Sequence, residues 1–435
     1  MERLHPSGTV NTDVILKAAA MAGSPAYLYD ESLMIEKCKA LLAMPNAYGL
    51  TVRYAMKANS GKALLQIISR EGLLFDASSL NEVRRAHLAG IDYADVILTT
   101  QEVPSGDDRS ALEAMMLCGL KYNVCSLRQL ELIGDFAAAN SIPLAIRLHP
   151  GVGSGETSTR NTGDNYSCFG VHLTDVERAL AFAAEKQIAF DHVHVHIGSG
   201  ADPDVWRDHI DLELGFVEKW FPKAETVSFG GGLREARMPD ETPADIASLG
   251  AYAKEKLEAF YQKTGRKLKM EIEPGTYVMA NAGYAITRVI DRKKTGDGGL
   301  QFVVTDGGME INARPVMYGS KHPFYIVAQD GRLISSEFSA ATQNSGFEAV
   351  IVGKCCESGD SQCLNSDGLN TPRHMQEPDI NDFVAIGGVG AYCSSMTLMN
   401  YNSHVQAPEL LLAADGTLRE IRKRQTLEQV LENEL

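Results

Sequence analysis

Eight short runs rich in apolar and β-branched residues recur between Thr51 and Gly275, each followed by a segment able to form a helix. They are Thr51–Lys57, Leu74–Ser79, Asp95–Gln101, Tyr122–Ser126, Pro143–Pro150, Phe190–Ser199, Thr226–Gly232 and Lys267–Gly275. The intervening stretches Ser79–Ala89, Ser126–Ala139, Thr174–Lys186 and Pro243–Thr264 are amphipathic with helical spacing. Parallel strands need a crossover long enough to hold a helix, so strand–helix alternation builds an α/β fold with a parallel sheet. Eight units predict a closed (β/α)8 barrel of the TIM type, with an open doubly wound sheet as the competing arrangement. After Asn281 the pattern changes to strand-like runs with Gly- and Asp-rich turns: Tyr284–Asp291, Leu300–Thr305, Tyr325–Val327, Ala349–Gly353 and Asp382–Ile386. That predicts a β-rich, sandwich- or barrel-like domain over 283–435. The barrel spans 32–282, and residues 1–31 join the β domain through Ala26-Tyr27-Leu28-Tyr29-Asp30.

Composition narrows the function. The 435 residues exceed one ordinary core, which a barrel with an attached domain accommodates. A net charge of -15 disfavours nucleic acid and anionic membrane as partners, since both require a basic footprint. Met1-Glu2-Arg3-Leu4-His5-Pro6 lacks the apolar segment of a secretory signal, and no run is long enough to span a bilayer. The eight cysteines show no paired zinc spacing, so reduced thiols in a cytoplasmic protein are expected.

In a barrel, function gathers on the loops at the C-terminal strand ends. Those ends carry Lys57, Asp76, Arg147, His194 and His196 with Ile197-Gly198-Ser199-Gly200, Gly230-Gly231-Gly232, and Glu273-Pro274-Gly275-Thr276. A lysine held in a partly dry site loses its proton more readily and becomes a nucleophile for a carbonyl. Three glycines let backbone amides approach an anion, and Ser199 adds a donor. Glu273, if buried, requires a cationic or protonated partner. His192, His194 and His196 alternate and share one strand face. With no carboxylate or cysteine ligand set beside them in sequence, no metal site is expected. Lysine, phosphate loop, carboxylate and a stacking imidazole together describe a pocket for pyridoxal 5'-phosphate.

In order, the motifs Tyr54-Ala55-Met56-Lys57-Ala58-Asn59, His196-Ile197-Gly198-Ser199-Gly200, Gly230-Gly231-Gly232-Leu233, Glu273-Pro274-Gly275, Arg314-Pro315 with Tyr318-Gly319, Cys356-Glu357-Ser358-Gly359-Asp360 and Gly390-Ala391-Tyr392 run through nearly the whole chain. This pattern resembles the barrel-type (fold type III) pyridoxal-phosphate decarboxylases, most closely the diaminopimelate decarboxylases. The resemblance implies an amino-acid decarboxylase acting as a homodimer, with active sites shared between subunits. It implies Lys57, His196 and Cys356 as catalytic residues, Cys356 and Glu357 coming from the partner subunit's β domain. Lys57, Asp76, His196, Ser199, Gly231, Gly232, Glu273, Gly275, Thr276 and Tyr392 would hold the cofactor. Arg314, Tyr318, Glu357 and Tyr392 would bind the substrate, meso-diaminopimelate, which loses carbon dioxide to give L-lysine.

Three positions depart from the family pattern. Thr276 stands where arginine is usual, Cys168 where lysine is usual, and His149 where asparagine is usual. By resemblance the lysine pairs with the aspartate at Asp360 across the dimer, and that ion pair is lost. A hydroxyl offers one hydrogen bond without charge, and losing one charged contact in a closed site costs about 1.5–3 kcal/mol. Thr276 therefore leaves open a relative acting on another diamino acid, lysine- or ornithine-like, or on a carboxylated biosynthetic intermediate. A racemase is disfavoured by the Cys356–Asp360 motif, and a non-catalytic pyridoxal-phosphate-binding relative by the retention of Lys57 and Cys356.

Overall fold

The computed structural model describes residues 10–153, 162–198 and 203–435. Strand β1 (Ala26–Asp30) precedes the alternating part of the chain. That part comprises β2 (Leu50–Ala55), β3 (Leu74–Ala77), β4 (Val96–Thr99), β5 (Lys121–Val124), β6 (Leu144–His149), the short β7 (Val171–His172), β8 (Phe190–Val195), β9 (Thr226–Ser228) and β10 (Lys269–Ile272). Hydrogen bonding runs β5-β4-β3-β2-β10-β9-β8-β6, every pair parallel, and pairing of β5 with β6 closes the ring. Closure leaves no edge strand and makes the eight-stranded (β/α)8 barrel. β7 adds to β6 outside the ring.

Three of the barrel helices start on a side-chain cap. Ser79 and Ser126 accept from the amides of Glu82 and Gln129, and Asp245 accepts from that of Ser248, so these helices are capped at their first turn. The helix Lys62–Arg70 turns Leu64, Leu65, Ile67 and Ile68 inward. All eight expected strands are present, but several stop short of the ranges read from sequence. β8 ends at Val195 rather than Ser199, β9 at Ser228 rather than Gly232, and β10 at Ile272 rather than Gly275. Apart from His196 and Glu273, the residues beyond these ends are small or apolar, which imitates strand composition, yet they form the loops that carry polar groups.

The chain divides into two units: Glu36–Arg234 with Pro243–Tyr277, and Met1–Ile35 with Glu235–Thr242 and Val278–Leu435. The second unit is built from β1 and β11 (Gly283–Lys294), β12 (Gln301–Thr305), β13 (Phe324–Val327), β14 (Leu333–Ser336), β15 (Glu348–Val352), β16 (Arg373–His374), β17 (Phe383–Ile386), β18 (Glu409–Leu412) and β19 (Leu418–Arg422). Its sheet runs β14-β13-β17-β11-β1-β18-β19, with β12, β15 and β16 continuing from β11. β1 lies antiparallel to β11 and parallel to β18, joining distant parts of the chain. Val14, Ile15, Leu28, Tyr284, Ile286, Tyr325, Val327 and Leu410 form its core. No helix among the described residues is long and apolar enough to cross a membrane.

Candidate active site

The barrel interior is polar in two successive layers, where a barrel more often holds branched aliphatic residues. In the layer nearer the strand starts, Arg53 Nε lies 2.8 Å from Glu271 Oε2 and His192 Nε2 lies 3.4 Å from Glu271 Oε1. Burial alone would raise Glu271, but Arg53 and His192 outweigh it and hold the carboxylate below its ordinary range. Burial drives His192 down to about 4, so its ring is neutral.

The next layer stands at the strand ends. Ser228 Oγ donates to Glu273 Oε1 at 2.9 Å, and His194 Nε2 lies 3.2 Å from Glu273 Oε2. Asn123 Nδ2 lies 2.8 Å from His194 Nδ1 and donates to Thr99 Oγ1 at 3.1 Å. Burial and the charge of Glu271 raise Glu273, while Ser228 and the Lys57 ammonium oppose them. Asp76, at the end of β3, has a buried Oδ1 without a hydrogen-bond partner, and burial with the nearby Glu273 charge pushes its pKa up to about 8. The sequence reading placed no carboxylate near the alternating histidines. β10 brings one to each of His192 and His194, since residues of one parity on both strands point inward. Each pair offers one nitrogen and one carboxylate, too few for a metal centre.

Above this layer the backbone comes close to the ring of His196. The amide of Gly231 donates to His196 Nδ1 at 3.2 Å, which leaves the neutral ring's proton on Nε2. Burial, with the Arg147 and Lys57 charges, keeps this imidazole well below its ordinary pKa. A Cβ at Gly230 (φ +63°) would stand 2.8 Å from His196 Nδ1, and one at Gly231 only 2.7 Å from the Glu273 carbonyl oxygen. Only glycine permits this approach. Gly232 takes φ +93°, so the run of amides turns sharply after β9. Gly275 is buried between β10 and the short helix Thr276–Met279, with Thr276 half-buried. The Pro274 carbonyl accepts from the Ala55 amide at 3.1 Å, tying the end of β10 to the end of β2. Lys57 lies past β2 in the 3₁₀ turn Met56–Ala58, and its side chain is exposed. Its charge nevertheless reaches Asp76, Glu273 and His196. Ser199 lies outside the described residues.

These groups fit a phosphorylated aromatic aldehyde. The glycine amides suit its phosphate, the His196 ring its face, Glu273 its ring nitrogen and Lys57 its carbonyl.

The remaining expected residues belong to the second unit. Arg314 is buried at the start of the helix Arg314–Tyr318, its guanidinium 5.9 Å from the Tyr318 ring centre and 6.0 Å from that of Tyr392. Tyr392 holds φ +58°, a conformation that costs a non-glycine residue energy and must be maintained by its surroundings. Cys356 is exposed, and its amide donates to Asn402 Oδ1 at 2.8 Å. Glu357 accepts from the Gly359 amide and from Ser358 and Tyr401 hydroxyls, which hold its carboxyl below the ordinary range. Val316 meets Gly359, so the helix carrying Arg314 packs on the loop carrying Cys356 and Glu357.

The adjacent thiols differ. Cys355 Sγ donates to Glu310 Oε2 at 3.5 Å, its amide donates to Asp360 Oδ2 at 2.7 Å, and burial with the Glu310 and Asp360 charges pushes the thiol up. The Gly308 amide donates to the same Glu310 Oε2 and the Met309 amide to Asp360 Oδ1, so this group clamps the loop. Of the departures, Cys168 is exposed, and His149 Nε2 lies 3.1 Å from Ser167 Oγ. Thr99, Asn123 and Ser228 were not anticipated; nothing in their local sequence marks them, and only the ring of strands gathers them.

Residues 34–280 match the family model described as pyridoxal-dependent decarboxylase, pyridoxal binding domain. The chain is 31% identical to a diaminopimelate decarboxylase of Escherichia coli, covering 99% of both chains. It is 30% identical to one of Streptomyces coelicolor, covering 100% of this chain and 94% of that one. A crystal structure of a diaminopimelate decarboxylase superposes with a TM-score of 0.86 at 29% identity, covering 98% of this chain and 96% of the other.

Proposed function

Because the chain belongs to the pyridoxal-dependent decarboxylases, and so is a carboxy-lyase that works with pyridoxal 5'-phosphate, we propose that it converts meso-diaminopimelate to L-lysine and carbon dioxide. The observation that carries the choice of substrate is the buried Arg314 guanidinium. It lies about 6 Å from two tyrosine ring centres, donates to Ser320 Oγ at 3.4 Å and forms no ion pair with a carboxylate among the described residues. A buried cation needs an anionic partner, and a dicarboxylic amino acid supplies one at the end remote from the reaction.

The cofactor, once bound, supplies a sink for the electron pair released when the carboxylate leaves. The chain's own residues do the rest. Lys57 would hold the cofactor at its carbonyl carbon, where the substrate amine also binds. The amides of Gly231 and Gly232, with Ser199, Gly275 and Thr276, would hold its phosphate. His196 would bear on the ring face, and Asp76 would stand by the lysine. Glu273 would keep a proton on the ring nitrogen, where positive charge makes the sink effective. Arg314, Tyr318 and Glu357 would take the far end of the substrate, Tyr392 would touch cofactor and substrate, and the Cys356 thiol would hold the proton for the carbon that loses carbon dioxide. We place the enzyme in the cytoplasm as a homodimer whose active sites are shared between subunits.

Thr276 favours a second reading, in which the same chemistry serves another diamino acid or a carboxylated intermediate. Carbon dioxide release from diaminopimelate, lysine, ornithine and arginine, with wild type and Thr276→Arg side by side, separates the two. Release from diaminopimelate alone by wild type is expected. Activity toward diaminopimelate that appears only in Thr276→Arg would transfer the assignment to the second reading.

A further inference from the structure

We infer that Asn402 is a positioning residue of the reaction: its side-chain carbonyl holds the Cys356 backbone amide and so sets where the Cys356 thiol stands. This rests on the proposed role of Cys356 as holder of the proton and adds to it the residue that orients it. The observation is a hydrogen bond of 2.8 Å from Cys356 N to Asn402 Oδ1. Fixing that amide fixes the peptide plane before Cys356, and with it the direction in which Cβ and the thiol leave the backbone.

Cys356 lies beyond the end of β15, in a loop that folds back on itself. The Glu357 amide donates to the Cys355 carbonyl at 2.9 Å, the Asp360 amide to the Glu357 carbonyl at 3.1 Å, and the Cys355 amide to Asp360 Oδ2 at 2.7 Å. These bonds shape the loop from within and leave the Cys356 amide to a group outside it. Two neighbouring residues of one turn reach the two functional residues of the loop. Asn402 takes the amide of Cys356, and the Tyr401 hydroxyl donates to Glu357 Oε2 at 3.3 Å.

That turn is itself tied down. Asn400, Asn402 and Ser403 take φ of +61°, +50° and +58°, a region that side chains crowd and that asparagine enters more readily than most residues. Asn400 Nδ2 donates to the His404 carbonyl at 3.0 Å and to Gln425 Oε1 at 2.7 Å. Gln425 Oε1 also accepts from the Gln406 amide at 3.0 Å. The Ser403 amide donates to the Asn400 carbonyl at 3.0 Å, and the His404 amide to the Tyr401 carbonyl at 3.1 Å. A backbone held in a sparsely populated conformation needs such surroundings to maintain it. Here they present Asn402 Oδ1 as an acceptor already in place, which orients its partner with little further loss of entropy.

Asn402→Gly separates the side chain from the backbone, because glycine adopts positive φ freely and brings no acceptor. In the cofactor-free protein, deuterium uptake over residues 355–360 should quicken in this variant. In the holoenzyme its kcat for carbon dioxide release should fall roughly 10–100-fold with KM little changed, as for a reacting group set out of place. The solvent deuterium isotope effect on kcat should grow, since delivery of the proton has become the slower step. Asn402→Asp tolerates the same φ and keeps an oxygen acceptor, so it should restore slow uptake and most of kcat. Unchanged uptake in the glycine variant, or equal kcat in the glycine and aspartate variants, would overturn the inference. Hydrogen exchange needs neither cofactor nor substrate, so an error in the functional reading shows separately. A wild type that releases no carbon dioxide, or a Cys356→Ala variant with unchanged kcat, would remove the reaction from the inference and leave the contact a structural one.

Discussion

Asp76 ends β3 inside the barrel with Oδ1 unpartnered, and its pKa near 8 makes it the neutral acid of the site at physiological pH. The unfolded chain ionises the same group near 4, so between about pH 4 and 8 the folded state binds the extra proton. Stability from this group is complete below the unfolded value and is lost as pH rises through about 8. The melting temperature of the cofactor-free protein should therefore fall across that window, and Asp76→Asn should flatten the fall. Parallel wild-type and variant curves in thermal unfolding at several pH values would contradict this. That Asp76 stands at a strand end is legible in the sequence. Its protonation is not, because burial and the charge of Glu273 come from strands distant in the chain. The cysteine pair teaches the same lesson. Cys355 and Cys356 are alike as sequence, yet one thiol is tied to Glu310 and the other is exposed.

At the scale of elements, the loop after β9 does the most with the least side chain. Its glycines let backbone touch backbone, and a methyl at Gly231 would press on the Glu273 carbonyl, which the end of the parallel strand β10 holds in place. Gly231→Ala should weaken pyridoxal-phosphate affinity at least about tenfold, about 1.4 kcal/mol, in titrations of the cofactor-free protein. Unchanged affinity would mean that the loop yields. The alternation of strands and helices was readable because a half-buried helix and a fully buried strand have different periods. Strand ends were overextended at β8, β9 and β10, since glycines, an isoleucine and a proline beyond them share the composition of a buried strand. β14, β16, β18 and β19 carry weaker patterns, being short or partly exposed, and were not anticipated.

At the scale of the molecule, the second unit is knit from distant parts of the chain, with β1 inserted between β11 and β18. Leu28 is fully buried at the centre of that strand. Leu28→Ala should cost roughly 2–5 kcal/mol by deleting buried methyl groups and leaving a cavity. Denaturant unfolding would measure it, and a loss below about 1 kcal/mol would show that the strand repacks. Residues 235–242 leave the barrel for this unit and return, an excursion for which composition holds no signal.

The repeating βα architecture, the β-rich second domain and the order of motifs that mark a pyridoxal-phosphate decarboxylase are all written in local periodicity or in contiguous residues. What the interior groups do to one another follows instead from how the folded chain brings them together. Closing the ring brings Ser228 and His194 to Glu273 and Asn123 to His194, and sets Arg53 and His192 on Glu271. Proton positions follow from such pairings in a dry interior, where electrostatic energies depend on distances between residues far apart in the chain.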